Sequence, residues 1–183
     1  MRVIAGSLKG RHLTAPDWPG LRPTSDRLRE TLFNVLGGQV DGARVLDAYA
    51  GTGALGIEAI SRGAREVVFL ERDPRACGLV ARNLARCGIE GGYAIIRATA
   101  ARGVERLRED PAFAPFDVVL LDPPYDQLPD EALRNMDGLL APVGVLVFEH
   151  ARRQAAPSDE GRFRRTREVV SGDSVLSFYA CRR

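Results

Sequence analysis

Val45-Leu46-Asp47-Ala48-Tyr49-Ala50-Gly51-Thr52-Gly53-Ala54-Leu55-Gly56 joins a short apolar run to a second one through a turn that holds two glycines. The first run suits a buried strand ending at Asp47, and Ala54 to Arg62, stopped by Gly63, reads as a helix. A strand that enters a helix through a glycine-rich turn leaves a ligand crevice at its carboxyl end. Gly51 and Gly53 can take backbone angles closed to other residues, so a ligand can lie against bare main chain beside the free N–H groups of the helix start. G-x-G-x-x-G alone is shared by many cofactor sites, and the residues around it must say which cofactor this one takes.

On the carboxyl side the pattern alternates strands and helices, as βαβ units do. Val67–Glu71 reads as a second strand, and Asp73-Pro74 as an N-cap and first helical residue of a helix running to Gly88. Tyr93–Arg97 is a third strand, Ala101–Glu109 a polar helix, and Phe116–Leu121 a fourth strand apolar enough for burial on both faces. Pro129–Leu140 reads as helical and Val143–Phe148 as a fifth strand, and Phe163–Val170 with Val175–Cys181 forms a closing antiparallel hairpin. The expected fold is α/β, a Rossmann-like, mostly parallel, doubly wound sheet of seven strands. On the amino side, the first fourteen residues, with Val3-Ile4-Ala5-Gly6 and Leu8-Lys9-Gly10, suggest a small hairpin, and Thr24-Ser25-Asp26 caps a helix carrying Leu28, Leu32, Val35 and Leu36 and ended by Gly37-Gly38. Residues 1–40 are therefore expected as a hairpin-and-helix appendage, and 41–183 as the doubly wound domain.

Two carboxylates specify the cofactor. Asp47, at the strand end, would repel a pyrophosphate but suits the ammonium of a methionine moiety. Glu71 ends the next strand and can accept both ribose hydroxyls. Together with Gly51 and Gly53 they favour S-adenosylmethionine, converted to S-adenosylhomocysteine, over a nicotinamide dinucleotide. Thr99, after the third strand, stands where an adenine amino group would be held, and its hydroxyl is a weak partner for one.

Asp122-Pro123-Pro124-Tyr125 comes directly off the fourth strand, beside the first, and so faces the same crevice. The prolines fix their own φ and restrict the residues before them, which keeps the turn rigid. An exocyclic base amine is a poor nucleophile because its lone pair is delocalised into the ring. The Asp122 carboxylate and the Pro123 carbonyl can bind its two hydrogens and favour pyramidal nitrogen, while Tyr125 stacks on a flipped-out base. Direct displacement at a sulfonium methyl needs no metal and no covalent enzyme intermediate, and the absence of a Pro-Cys pair removes the thiolate that ring-carbon methylation of cytosine would use.

Composition narrows the class. A chain of 183 residues, 45% hydrophobic, holds one domain with a sizeable core. No apolar run is long enough to span a membrane, and a signal-peptide layout is missing, so a cytoplasmic protein is expected. Three cysteines without close spacing suggest neither a disulfide framework nor a zinc site. Net charge is only +2, yet residues 1–30 and 151–168 each carry six cations against three anions, a distribution that suits a phosphate backbone.

Arg2-Val3-Ile4-Ala5-Gly6 with Leu8-Lys9-Gly10-Arg11, then Arg22-Pro23-Thr24-Ser25-Asp26-Arg27-Leu28-Arg29-Glu30-Thr31-Leu32-Phe33-Asn34, added to the two motifs above, resemble the RsmD-type 16S ribosomal RNA guanine-N2 methyltransferases over nearly the whole length. The resemblance implies a bacterial class I methyltransferase that makes N2-methylguanine in small-subunit ribosomal RNA, within the small subunit or an assembly intermediate. It assigns Asp47, Gly51, Gly53 and Glu71 to the cofactor and Asp122, Pro123, Pro124 and Tyr125 to the guanine. Arg11, Arg22, Thr24, Arg27 and Arg29 become candidates to meet RNA or to close over the cofactor. Three rivals are an adenine-N6 methyltransferase on DNA or RNA, an inactive RNA-binding assembly factor and, as an outsider, a nicotinamide-dependent oxidoreductase.

Overall fold

The computed structural model describes residues 1–20, 24–124 and 127–182, so Arg22 and Tyr125 lie outside the described residues. In chain order the elements are α1 (Asp26–Leu36), a 3-10 turn (Gly37–Val40), β1 (Arg44–Asp47), α2 (Ala54–Ser61), β2 (Glu66–Glu71), α3 (Pro74–Arg86), β3 (Tyr93–Arg97), α4 (Ala100–Glu109), β4 (Phe116–Leu121), α5 (Pro129–Arg134), β5 (Leu140–Ala151), β6 (Asp159–Glu160), β7 (Phe163–Ser171) and β8 (Ser174–Cys181). They build an eight-stranded sheet in the order β3-β2-β1-β4-β5-β8-β7-β6, parallel from β3 to β5 and antiparallel beyond. The order reverses between β1 and β4, which is where a doubly wound sheet opens its crevice.

Successive strand residues point to opposite faces, and the core divides accordingly. Val45, Val67, Phe69, Val118, Leu120 and Val147 face one cluster with α1, α2 and α3, whereas Leu46, Val68, Leu70, Val119, Leu121, Leu146 and Phe148 face the other with α4 and α5. Covering both faces lets four-residue β1 bury Val45, Leu46 and Asp47 in succession.

Three expectations change. The sheet has eight strands rather than seven, the addition being the two-residue edge strand β6. The helix from Pro129 ends at Arg134 rather than Leu140, because the chain turns back on itself through Met136 and Leu139 and Gly138 takes φ 75°. Leu140 then pairs with Phe116, so β5 begins three residues before Val143 and continues past Phe148 to Ala151. That extension carries Glu149 and His150 into the sheet.

Residues 1–14 are fastened to the domain by backbone hydrogen bonds onto buried side chains. Glu58, fully buried, accepts from Ile4 N–H at 2.7 Å and Ala5 N–H at 3.0 Å while pairing with Arg62 at 2.8 Å. Asn83 does the same at Thr14, accepting its N–H at 2.8 Å and donating to its carbonyl at 3.2 Å. The expected hairpin reduces to one antiparallel bridge between Arg2 and His12, with Val3 and Leu13 sunk into the core shared by α1 and α2.

Gly6 makes the closest approach. Its φ is +80°, and a Cβ there would sit 1.8 Å from the Ser61 carbonyl oxygen. Gly6→Ala is expected to loosen this attachment, speeding amide exchange at Ile4 and Ala5 and lowering stability by about 2 kcal/mol. Unchanged exchange and an unchanged urea midpoint would show that the contact carries no load.

Candidate active site

The loop after β1 takes its shape from two carboxylates. Gly51 and Gly53 hold φ of 53° and 77°, and Gly53 N–H donates to the Ala50 carbonyl at 2.7 Å. Glu71, at the end of β2, accepts Gly51 N–H at 2.9 Å on one oxygen and Asp73 N–H at 2.8 Å on the other. Each oxygen keeps a lone pair for another donor. Asp47 is fully enclosed and accepts Gly56 N–H at 2.9 Å.

A cavity of about 960 Å³ opens along the carboxyl ends of these strands. Gly51, Glu71 and Thr99 line it on one side and Thr24, Asp122, Pro123 and Pro124 on the other, so the glycine-rich turn and the acceptor loop do confront one another. Thr99 caps α4, its hydroxyl accepting Arg102 N–H at 3.4 Å, and retains its own proton to donate.

Asp47 and Gly53 do not line this cavity. Asp47 lies behind the cavity wall and holds the first turn of α2 through Gly56 N–H, which departs from the lining position expected for it. Gly53 caps α2 and packs against Val80 of α3. Arg29 departs further: its guanidinium is fully buried, donating to the Arg2 carbonyl and to Asp26, each at 2.7 Å. It fastens α1 to the amino-terminal segment and presents no surface to RNA. Arg11 and Arg27 are exposed; Arg27 lies with Arg2 and Lys9 along a second, smaller concavity.

Thr24 has a sharper position than the one read for it. Its hydroxyl donates to Asp122 Oδ2 at 2.7 Å across 98 residues of sequence. Burial pushes the Asp122 carboxyl above the usual carboxylate range, and hydrogen bonds from Thr24 and with Glu149 offset part of that rise. Glu149, from β5, also lines the cavity, with Ser174 Oγ donating to its Oε1 at 3.1 Å.

These walls fit S-adenosylmethionine. Glu71, Asp122 and Glu149 suit a ligand carrying a sulfonium and an ammonium and oppose a pyrophosphate, and Glu71 has acceptor capacity left for ribose hydroxyls. The volume is large enough for a nucleoside with an amino-acid arm together with a second planar group.

Comparison with known proteins agrees. The model of the family described as Conserved hypothetical protein 95 matches residues 1–180. Ribosomal RNA small subunit methyltransferase D of Escherichia coli K12 is 35% identical over 182 residues, which are 98% of this chain and 89% of that protein. The protein of the same name from Haemophilus influenzae is 40% identical over 127 residues, 68% of this chain and 64% of its own. The chain belongs to this ribosomal RNA small subunit methyltransferase D family. The yhhF protein of Escherichia coli superposes with a TM-score of 0.84 at 32% identity, covering 99% of this chain and 97% of that one. SMU.776, solved in complex with S-adenosylhomocysteine, shares the class I methyltransferase fold at a TM-score of 0.68 and 13% identity, covering 84% of this chain and 48% of that one.

For a member of the methyltransferase D family, the residue that sequence reading misses is Glu149. Its one signal is an acid inside an apolar run, Val145-Leu146-Val147-Phe148-Glu149-His150. His150 next to it points to the opposite face and is satisfied there, with Nε2 on Ser177 Oγ and Nδ1 on the Gln154 carbonyl, both at 2.9 Å.

Burial raises the Asp47 carboxyl from 3.8 to about 7. A carboxyl shifted this way contributes stability in full below its unfolded value, and that contribution is lost as pH rises through the folded value. Asp47→Asn is therefore expected to match the wild type near pH 4 and to exceed it increasingly towards pH 8, by about 5 °C in Tm. A thermal-melt difference that does not grow with pH would contradict the buried, ionising carboxyl.

Proposed function

We propose that this chain is an S-adenosylmethionine-dependent methyltransferase acting on the exocyclic N2 of a guanine in small-subunit ribosomal RNA. The observation that carries the reading is the placement of Gly51 and Glu71 on one wall of a single cavity and Asp122-Pro123-Pro124 on the other. The partner follows the relatives' names, and the cavity supplies the chemistry of the step.

The bound cofactor supplies a methyl group on a positively charged sulfur, open to displacement by a nitrogen lone pair. Glu71 holds the ribose hydroxyls, and the bare main chain at Gly51 lets the ligand lie close. Asp122 and the Pro123 carbonyl accept the two amino hydrogens, drawing the nitrogen lone pair out of conjugation and aiming it across the gap. When the amine nitrogen takes the methyl group from the cofactor, Asp122 would accept the proton that nitrogen loses and pass it to solvent.

Thr24 orients Asp122 and so acts through it as a positioning residue. RNA lies over the cavity mouth, against Arg27, Arg11 and Lys9 on the amino-terminal side and against Arg152 and Arg153, both exposed just past the end of β5. In this reading residues 1–40 supply RNA contact while packing into the catalytic domain's core, and the enzyme works in the cytoplasm on the small subunit or its assembly intermediates.

Incubation with labelled cofactor and small-subunit RNA from cells lacking the enzyme, followed by nucleoside analysis, is expected to yield N2-methylguanosine. N6-methyladenosine as the product would replace this reading with its rival. Asp122→Ala is expected to lower kcat at least about 1,000-fold while S-adenosylhomocysteine binds within a few-fold of wild type. The acidic limb of kcat/KM should fall above the ordinary carboxylate range, in line with the raised Asp122 carboxyl.

Thr24→Val removes one donor and leaves the charge in place. We expect kcat to fall about 10-fold with KM for the cofactor unchanged, and Thr24→Ser to restore most of the loss. Equal activity of the valine variant would show that Asp122 needs no such support.

A further inference from the structure

Glu149 reaches the cavity through strand register alone. β4 and β5 run parallel with Leu121 beside Phe148, so one residue further on Asp122 and Glu149 leave neighbouring strands side by side. Leu120 and Val147 belong to the α1-facing core, and by alternation the two acids emerge on that same face. Both carboxyl groups reach the same cavity and interact with one another there. Thr24 donates to Asp122 and Ser174 to Glu149, from opposite sides of the pair. Two carboxyls side by side oppose each other's ionisation, and donors that enter the cavity relieve that repulsion. Both residues line the cavity, and Glu149 keeps only 7% of its surface exposed.

We propose that Glu149 is the residue that selects guanine, accepting the N1–H of the target base while Asp122 accepts a hydrogen of N2. The assignment rests on the guanine-N2 reading above. Guanine offers N1–H and N2–H₂ as adjacent donors along one edge, a match for two acids on adjacent strands. The base brings two donors to a pair of carboxyls that repel one another, and so relieves that repulsion. Adenine offers an amino group beside a ring nitrogen that carries a lone pair, and Glu149 would face that lone pair with another. Asp122 and the Pro123 carbonyl could serve either amine, so the amine contacts alone leave the choice of base open, and Glu149 closes it.

The test uses small-subunit RNA in which the methylated nucleotide, mapped first on the unmodified transcript, is replaced by 2-aminopurine. This base keeps the 2-amino group, and its N1 is an acceptor. The wild-type enzyme is expected to favour the guanosine RNA by at least about 100-fold in kcat/KM, because a site built for a donor rejects an analogue that lacks it. Glu149→Gln can turn its amide to donate to the 2-aminopurine N1, and is expected to narrow the preference below about 10-fold. S-adenosylhomocysteine affinity, measured in parallel, should stay within a few-fold of wild type.

Equal use of both RNAs by the wild-type enzyme would overturn the assignment without need of any variant. A glutamine variant that loses activity on both RNAs in the same proportion would overturn it too, leaving Glu149 as a support for Asp122. If the wild-type enzyme puts no methyl on N2 of the guanosine RNA, the reaction itself is misread and the role of Glu149 goes with it.

Discussion

The parallel register of β2, β1, β4 and β5 is the constraint on which the site depends. Asp47 pairs with Phe69 and Leu120, and Leu120 with Val147, so Glu71, Asp122 and Glu149 all fall two residues beyond the level of Asp47, on the same face of the sheet. A slip of one residue in any pairing would turn the affected acid to the α4 and α5 side. The site is a row of strand ends, and its precision is that of a hydrogen-bonded ladder buried on both faces.

Collecting carboxylates in one cavity is costly in the absence of donors, since desolvation and mutual repulsion both oppose ionisation. The fold answers with donors fixed in place before any ligand arrives. Gly51 and Asp73 serve Glu71, Gly56 serves Asp47, Thr24 serves Asp122 and Ser174 serves Glu149. Where these do not suffice, the carboxyl keeps a proton to higher pH, as Asp47 and Asp122 do. A cationic cofactor and the N–H edge of a base are complementary to what remains.

The amino-terminal segment is part of this arrangement. Glu58, Asn83 and buried Arg29 hold residues 1–14 and α1 against the domain, and Thr24, just ahead of the α1 cap Ser25, reaches Asp122. A stretch that reads from its charges as an RNA-facing arm thus also sets the geometry of the acceptor loop. Arg29 shows why composition misleads here: an arginine on an amphipathic helix looks solvated until the chain that covers it, Arg2 onward, is folded back over it.

The sequence by itself determined the alternation of strands and helices, the glycine turn, the acceptor tetrapeptide and the identity of Glu71 and Asp122 as strand-end acids. These are local signals, written in hydrophobic period and in residues with special backbone freedom. Only the tertiary structure decided what depends on contacts between distant segments: that Asp47 holds α2 from behind the cavity, that Thr24 holds Asp122, that β5 continues to Ala151, and that Glu149 stands beside Asp122. Strand length and side-chain facing are settled by pairing with β4 and β8, and no window along a single strand contains its partners.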